Sequence, residues 1–175
     1  MEDLKELIKE VFACFGAAYY RSEILHRKLC NIYALMTFEK VEDIIPLRMD
    51  EKQARADTLT LGQIIEQTKD LLPSELQQRL QVALEKRNYL AHHYSKQNLL
   101  KMRQELLELG GLFIKLDEDI SEYVKPKREA FGITDELIQE YVNASMGSRL
   151  NLYFHFLLMS NVDTSFILPR ISLVP

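Results

Sequence analysis

Residues 73–94 read Pro73-Ser-Glu-Leu-Gln-Gln-Arg-Leu-Gln-Val-Ala-Leu-Glu-Lys-Arg-Asn-Tyr-Leu-Ala-His-His-Tyr94. At about 100° per residue, Leu76, Leu80, Ala83, Leu84, Leu90, Ala91 and Tyr94 gather on one face of a helix. Pro73 and Ser74 supply its start signal. Arg87 falls in the centre of that apolar face. An arginine cannot shed its charge, so burying it unpaired costs several kcal/mol or more. It must be paired with a carboxylate such as Glu23 or Asp57, placed at an interface, or held ready for an anion.

The same three-and-four spacing extends outward in both directions. Residues 3–38 carry it through Leu4, Val11, Phe15, Ala18, Leu25, Leu29, Ile32 and Met36. A straight helix of that length would span about 54 Å, so a bend near Gly16 or a break is expected. Residues 39–58, with Pro46, read as a connection holding at most a short helix. Thr60 caps a helix running to Leu72. Leu99–Val124 repeats Leu99, Met102, Leu106, Leu109, Phe113, Leu116 and Ile120, with a kink expected at Gly110-Gly111 and an end or a new turn at Pro126. Thr134 caps a last short helix to about Ser145. The tail changes period: Leu150, Leu152, Phe154, Phe156 and Leu158 alternate, which fits a hairpin or an extended arm, although a buried helix fits the same run.

These patterns predict an all-α, antiparallel helical bundle of about five helices over residues 1–146, with an apolar C-terminal extension at 147–175. The 175 residues suffice for a sizeable core, and 47% hydrophobic with 27% charged residues is the balance of a globular chain. The net charge of −4 provides no global field for nucleic acid or anionic lipid, so any such partner needs a local site. Cys14 and Cys30 lie about 24 Å apart along one helix, too far for a disulfide, which predicts reduced thiols and a cytoplasmic protein. The first residues lack a signal-peptide pattern, and no apolar run reaches the roughly 20 residues that span a bilayer.

The string Arg87-Asn-Tyr-Leu-Ala-His92-His93-Tyr94 has the spacing R-N-x-x-x-H, or R-x4-H-x-Y. It resembles the HEPN superfamily (higher eukaryotes and prokaryotes nucleotide-binding), small helical bundles marked by R-x4-6-H near the end of a core helix. A polar residue, often Asn, commonly follows their Arg. Tyr94 also matches the R-x4-H-x-Y variant of HEPN toxins that are paired with minimal nucleotidyltransferase antitoxins. In those families the matching Tyr receives a nucleotide modification that silences the toxin.

The resemblance implies a metal-independent endoribonuclease without a cofactor, acting as a homodimer in a toxin–antitoxin or defence setting. The residue types suit the reaction. When a 2′-hydroxyl attacks the adjacent phosphate, it needs a base, the leaving 5′-oxygen needs an acid, and the extra phosphate charge needs a cation. Histidine serves either proton role near neutral pH, which assigns proton transfer to His92. Arginine offers a fixed fork for phosphate oxygens, the role of Arg87. Asn88 would orient the ring or hold a phosphate oxygen. His93 and Tyr94 stand behind these as secondary candidates. His93 reads first as a helix-terminal surface residue and Tyr94 as a core residue with a polar tip. Lys86 and Lys96, with Lys101 and Arg103, would extend a phosphate track.

Geometry limits this assignment. Arg87 and His92 point about 140° apart on an ideal helix. They converge only if the helix ends or distorts near Ala91, or if a second copy brings its own pair. Paired HEPN protomers resemble the second case, which predicts a symmetric homodimer.

Other chemistry is weaker. Glu23-Ile-Leu-His26 is a lone Glu-x-x-His without the second copy a di-metal bundle needs, so no metal is expected. Asp117–Glu122 lacks the glycine of a calcium loop and reads as a solvated helix face. Two further classes compete with the nuclease. One is a non-catalytic module binding a nucleotide or partner through the same Arg and His. The other is a structural dimer whose apolar tail docks on a partner.

Overall fold

A computed structural model describes residues 2–40, 43, 46–93, 98–134 and 136. The chain divides into two compact units, Met1–Gly132 and Ile133–Pro175. The expected boundary at 146/147, most of the helix expected after Thr134, and the C-terminal arm lie outside the described residues.

The first unit is an all-α bundle of five helices: α1 (Glu2–Met36), α2 (Pro46–Ala56), α3 (Leu61–Gln67), α4 (Ser74–His93) and α5 (Leu99–Ala130). No strand occurs among the described residues. Consecutive long helices are antiparallel. Arg79 of α4 pairs with Asp119 of α5, while Leu90, nearer the other end of α4, lines one cavity with Leu106. Helices α1 and α5 run parallel, because Glu10 meets Arg103 and Lys28 meets Asp117 in the same sense.

Helix α1 runs unbroken through Gly16, so the break, one of the two expectations, does not occur. Gly16 is exposed, and the buried Val11, Cys14 and Ala18 on either side anchor the turns around it. A helical glycine costs about 1 kcal/mol, which packing on both sides offsets. Helix α5 likewise passes through Gly110-Gly111 and continues beyond Pro126 to Ala130. Its buried row Met102, Leu106, Leu109, Phe113, Leu116, Ile120 and Val124 keeps a three-and-four spacing that holds it on α1 and α4.

Pro46 opens α2, where its missing N–H is no loss. Thr60 caps α3 in a full capping box: its hydroxyl accepts from the Gln63 amide, and its own amide donates to the Gln63 side chain at 2.8 Å. Helix α3 stops at Gln67 and not at Leu72. The buried Thr68 donates its hydroxyl back to the Ile64 carbonyl, and its own carbonyl accepts from Gln77 of α4. That tie turns the chain into α4.

The α1–α5 seam holds polar residues at seven-residue intervals. Cys14, Arg21 and Lys28 share one edge of α1, with Arg103, Gly110 and Asp117 at matching intervals on α5. Lys28 is buried, forms an ion pair with the Asp117 carboxylate, and donates to the Asp117 carbonyl at 3.0 Å and the Ser121 hydroxyl at 2.6 Å. Burial pushes the Lys28 pKa down and the Asp117 pKa up, the pairing opposing both shifts. Within the acidic run 117–122, Glu118 and Glu122 are exposed as expected of a solvated face, whereas Asp117 faces the seam. Asp119 also pairs with Arg79, whose hydrogen bond holds it below the usual carboxylate range.

Cys14 and Cys30 are both buried and unbridged. Cys30 donates to the Ala56 carbonyl at 3.4 Å, and burial pushes its thiol up to about 12. His26 donates from Nε2 to the Leu59 carbonyl at 2.9 Å, tying α1 to the α2–α3 connection. His26 of the Glu23-x-x-His26 motif thus has a structural task, and no group of metal ligands exists among the described residues. Among those residues, no helix is long and apolar enough to cross a membrane.

Candidate functional site

The buried row of α4 is Leu76, Leu80, Ala83 and Leu90. Arg87 continues that row between Ala83 and Leu90, and is half-buried where α4 faces α1 and α5. Two neighbours fix its head. Nη1 donates to Asn88 Oδ1 at 3.1 Å, and Cζ lies 5.9 Å from the ring centroid of Tyr19 on α1. That separation is within cation–π range. No ion pair joins Arg87 to a carboxylate among the described residues, so the alternative of Glu23 or Asp57 as its partner is not met. Asp57 accepts instead from Gln53, at 2.9 Å.

Arg87 borders a cavity of about 230 Å³. Its walls are Phe15, Ala18 and Tyr19 of α1, Leu90 and Ala91 of α4, and Leu106 and Leu109 of α5. The walls are almost wholly apolar. A cation at such a rim meets less competing water than on an open surface, which strengthens its hold on an anion. Among the described residues, the bond to Asn88 occupies one of the five guanidinium N–H donors.

The remaining predicted residues divide by position. Asn88 is half-buried and accepts from Arg87 through its Oδ1. His92 is exposed on α4, and Ala91, assigned to the apolar face, is exposed as well. Helix α4 continues to His93, so it does not end at Ala91 to swing the imidazole round. Within one chain, Arg87 and His92 keep the divergence of about 140° that helical spacing imposes. His93 is the last residue of α4. Tyr94 and Lys96 lie outside the described residues.

The described residues expected in a phosphate track, Lys86, Lys101 and Arg103, each stand near carboxylates. Lys86 is exposed, but borders a groove of about 350 Å³ between α4 and α5 that also holds Glu85, Glu105 and Glu108. Lys101 pairs with Glu105 at 3.7 Å, and Arg103 Nε with Glu10 at 3.0 Å. Neighbouring carboxylates offset these charges.

Tyr19 is the residue that sequence reasoning missed. Its place beside Arg87 depends on how α1 packs against α4, 68 positions away in sequence. The available signal was the row Phe15, Ala18, Tyr19, where a small residue between two aromatics leaves room against a facing helix. Arg21 and Lys28 were missed too, although their seven-residue spacing from Cys14 places them on the seam. Compared with protein-family models, curated proteins and solved structures, the chain matches none.

Proposed function

We propose that this chain is a HEPN-type domain that cleaves RNA as a homodimer, without metal, in a toxin–antitoxin or defence setting in the cytoplasm. One observation carries the reading: the Arg87 guanidinium is half-buried at an apolar cavity, oriented by Asn88 and Tyr19, with no carboxylate ion pair among the described residues. In this reading Arg87 binds the scissile phosphate and stabilises the charge that grows on it. The 2′-oxygen forms a bond to phosphorus and the bond to the 5′-oxygen breaks. One imidazole takes the 2′-proton and another supplies a proton to the leaving oxygen. Each chain offers one His92, pointing away from its own Arg87, so the acid, the base and the cation meet only when two copies face each other.

An apolar stripe supports a second copy on this side. Leu4, Ile8 and Phe12 share a face of α1 and are 54%, 37% and 61% exposed. The face leads to Tyr19 and the cavity. The buried thiols support a reducing compartment.

The test is cleavage of single-stranded RNA in excess chelator. The parent should cut it, and Arg87→Ala and His92→Ala should each be slower by about 10²-fold or more, the scale of one electrostatic or acid–base contribution. Variants as active as the parent sink the assignment. A second reading, a non-catalytic nucleotide-binding module, draws on the outward position of His92. RNA that binds without turnover would favour it.

A further inference from the structure

We propose that the cavity beside Arg87 seats one unpaired nucleobase, with Tyr19 as the stacking residue, so that the ligand is single-stranded and not duplex RNA. This rests on the RNA reading above and adds the cavity that holds a base and the residue that stacks on it.

Three features converge. The cavity is about 230 Å³, below the roughly 300–1,000 Å³ typical of sites for drug-sized ligands, so it suits a single small ring system. Its walls are apolar and include two aromatic side chains, Phe15 and Tyr19. A nucleobase has apolar faces, and stacking on an aromatic ring is a sequence-tolerant source of affinity. Among the described residues, the permanent cation on the lining is Arg87, at the side where Tyr19 stands. A nucleotide presents that combination: a flat ring joined to a phosphate by a short sugar linkage.

Tyr19 is half exposed, so its ring is accessible from solvent while one side lies near the guanidinium. A base entering the cavity stacks on the tyrosine, and its phosphate meets the donors of Arg87 that Asn88 leaves unused. A base inside a duplex cannot enter without leaving its stack and its pairing partner, and that loss counts against the duplex. The site therefore discriminates by strandedness and reads little sequence, because the described lining residues offer few groups to hydrogen-bond a base edge.

The experiment uses the full chain and a fluorescein-labelled, 2′-O-methyl single-stranded oligonucleotide, which binds but cannot be cut, beside its duplex. Fluorescence anisotropy gives the affinities, and helical circular dichroism verifies each fold. The parent should bind the single strand at least tenfold more tightly than the duplex. Tyr19→Ala should weaken single-strand binding about tenfold or more, and Tyr19→Phe should stay within about twofold, because stacking needs the ring and not the hydroxyl. Ala91→Trp, at an exposed helical position on the lining, should block the cavity and lose binding to a similar degree. Single-strand binding that survives both Tyr19→Ala and Ala91→Trp overturns the proposal, as does equal affinity for duplex or no binding by the parent. Cleavage of unmodified RNA, followed in parallel, keeps the two readings apart. Turnover with binding indifferent to Tyr19 removes the base seat alone, and Tyr19-dependent binding without turnover removes the nuclease alone.

Discussion

Arg87 and Cys30 show how differently burial acts on a group that keeps its charge and one that sheds it. The guanidinium stays cationic, so its half-burial is tolerated through partial solvent contact, the Asn88 acceptor and the Tyr19 ring. The Cys30 thiol stays neutral because burial raises its pKa to about 12. At pH 9, a pKa of about 12 leaves roughly one Cys30 in a thousand as the reactive thiolate, against half for an ordinary cysteine. Cys30 should therefore resist iodoacetamide at pH 9 in the native protein and react within minutes in denaturant, as mass spectrometry of the labelled peptide would show. The stability consequence has a definite sign. A folded pKa above the unfolded 9.0 means the native state holds a proton that the unfolded chain releases, so stability falls as pH rises from 9 towards 12. Cys30→Ser should remove that part of the decline in urea unfolding. An unchanged slope would place the thiol in a more polar setting.

The helices were legible where periodicity was long and uninterrupted, and less so at glycine and proline. The row from Met102 to Ile120 fixed the face that α5 buries. Gly16, Gly110 and Pro126 suggested interruptions that do not occur as breaks, because a bundle core on one side outweighs a local propensity of about 1–3 kcal/mol. Gly110 has a different task. A Cβ there would lie 2.7 Å from Arg21 Nη1, so the bare backbone makes room for that guanidinium. Gly110→Ala should push the arginine aside and lower stability by up to about 1 kcal/mol, while the alanine's helix propensity works in the opposite direction. The stronger test of the seam is Lys28. Removing it strands Asp117 in a largely buried position, so Lys28→Ala should destabilise by about 3–5 kcal/mol in urea titration. The double variant Lys28→Met with Asp117→Leu should recover most of that loss. A single variant as stable as the parent would mean that the pair is not buried in solution.

The bundle could be read from sequence, whereas half of the candidate site could not. Arg87 was recognisable as a cation in an apolar row, because one helix's periodicity suffices to place it. Tyr19 and the cavity needed the packing of three helices, and α1 pairs with α5 over some 90 positions, beyond the reach of any local pattern. The position of His92 follows from helix geometry alone, and under the proposed nuclease reading the acid–base chemistry then needs a second copy. Ile8→Glu places a charge on the exposed stripe of α1 without touching Arg87. It should shift sedimentation from dimer to monomer and remove RNA cleavage together, whereas an active monomer would refute the shared site. The claim beneath all of this is that Arg87 grips phosphate, and the salt dependence of RNA binding measures that grip directly. For a non-cleavable single strand, log affinity falls linearly with log salt, with a slope of about 0.7 for each phosphate neutralised. Arg87→Ala should weaken binding and flatten the slope by about 0.7 for each guanidinium removed from the complex. An affinity and slope identical to those of the parent would contradict the account.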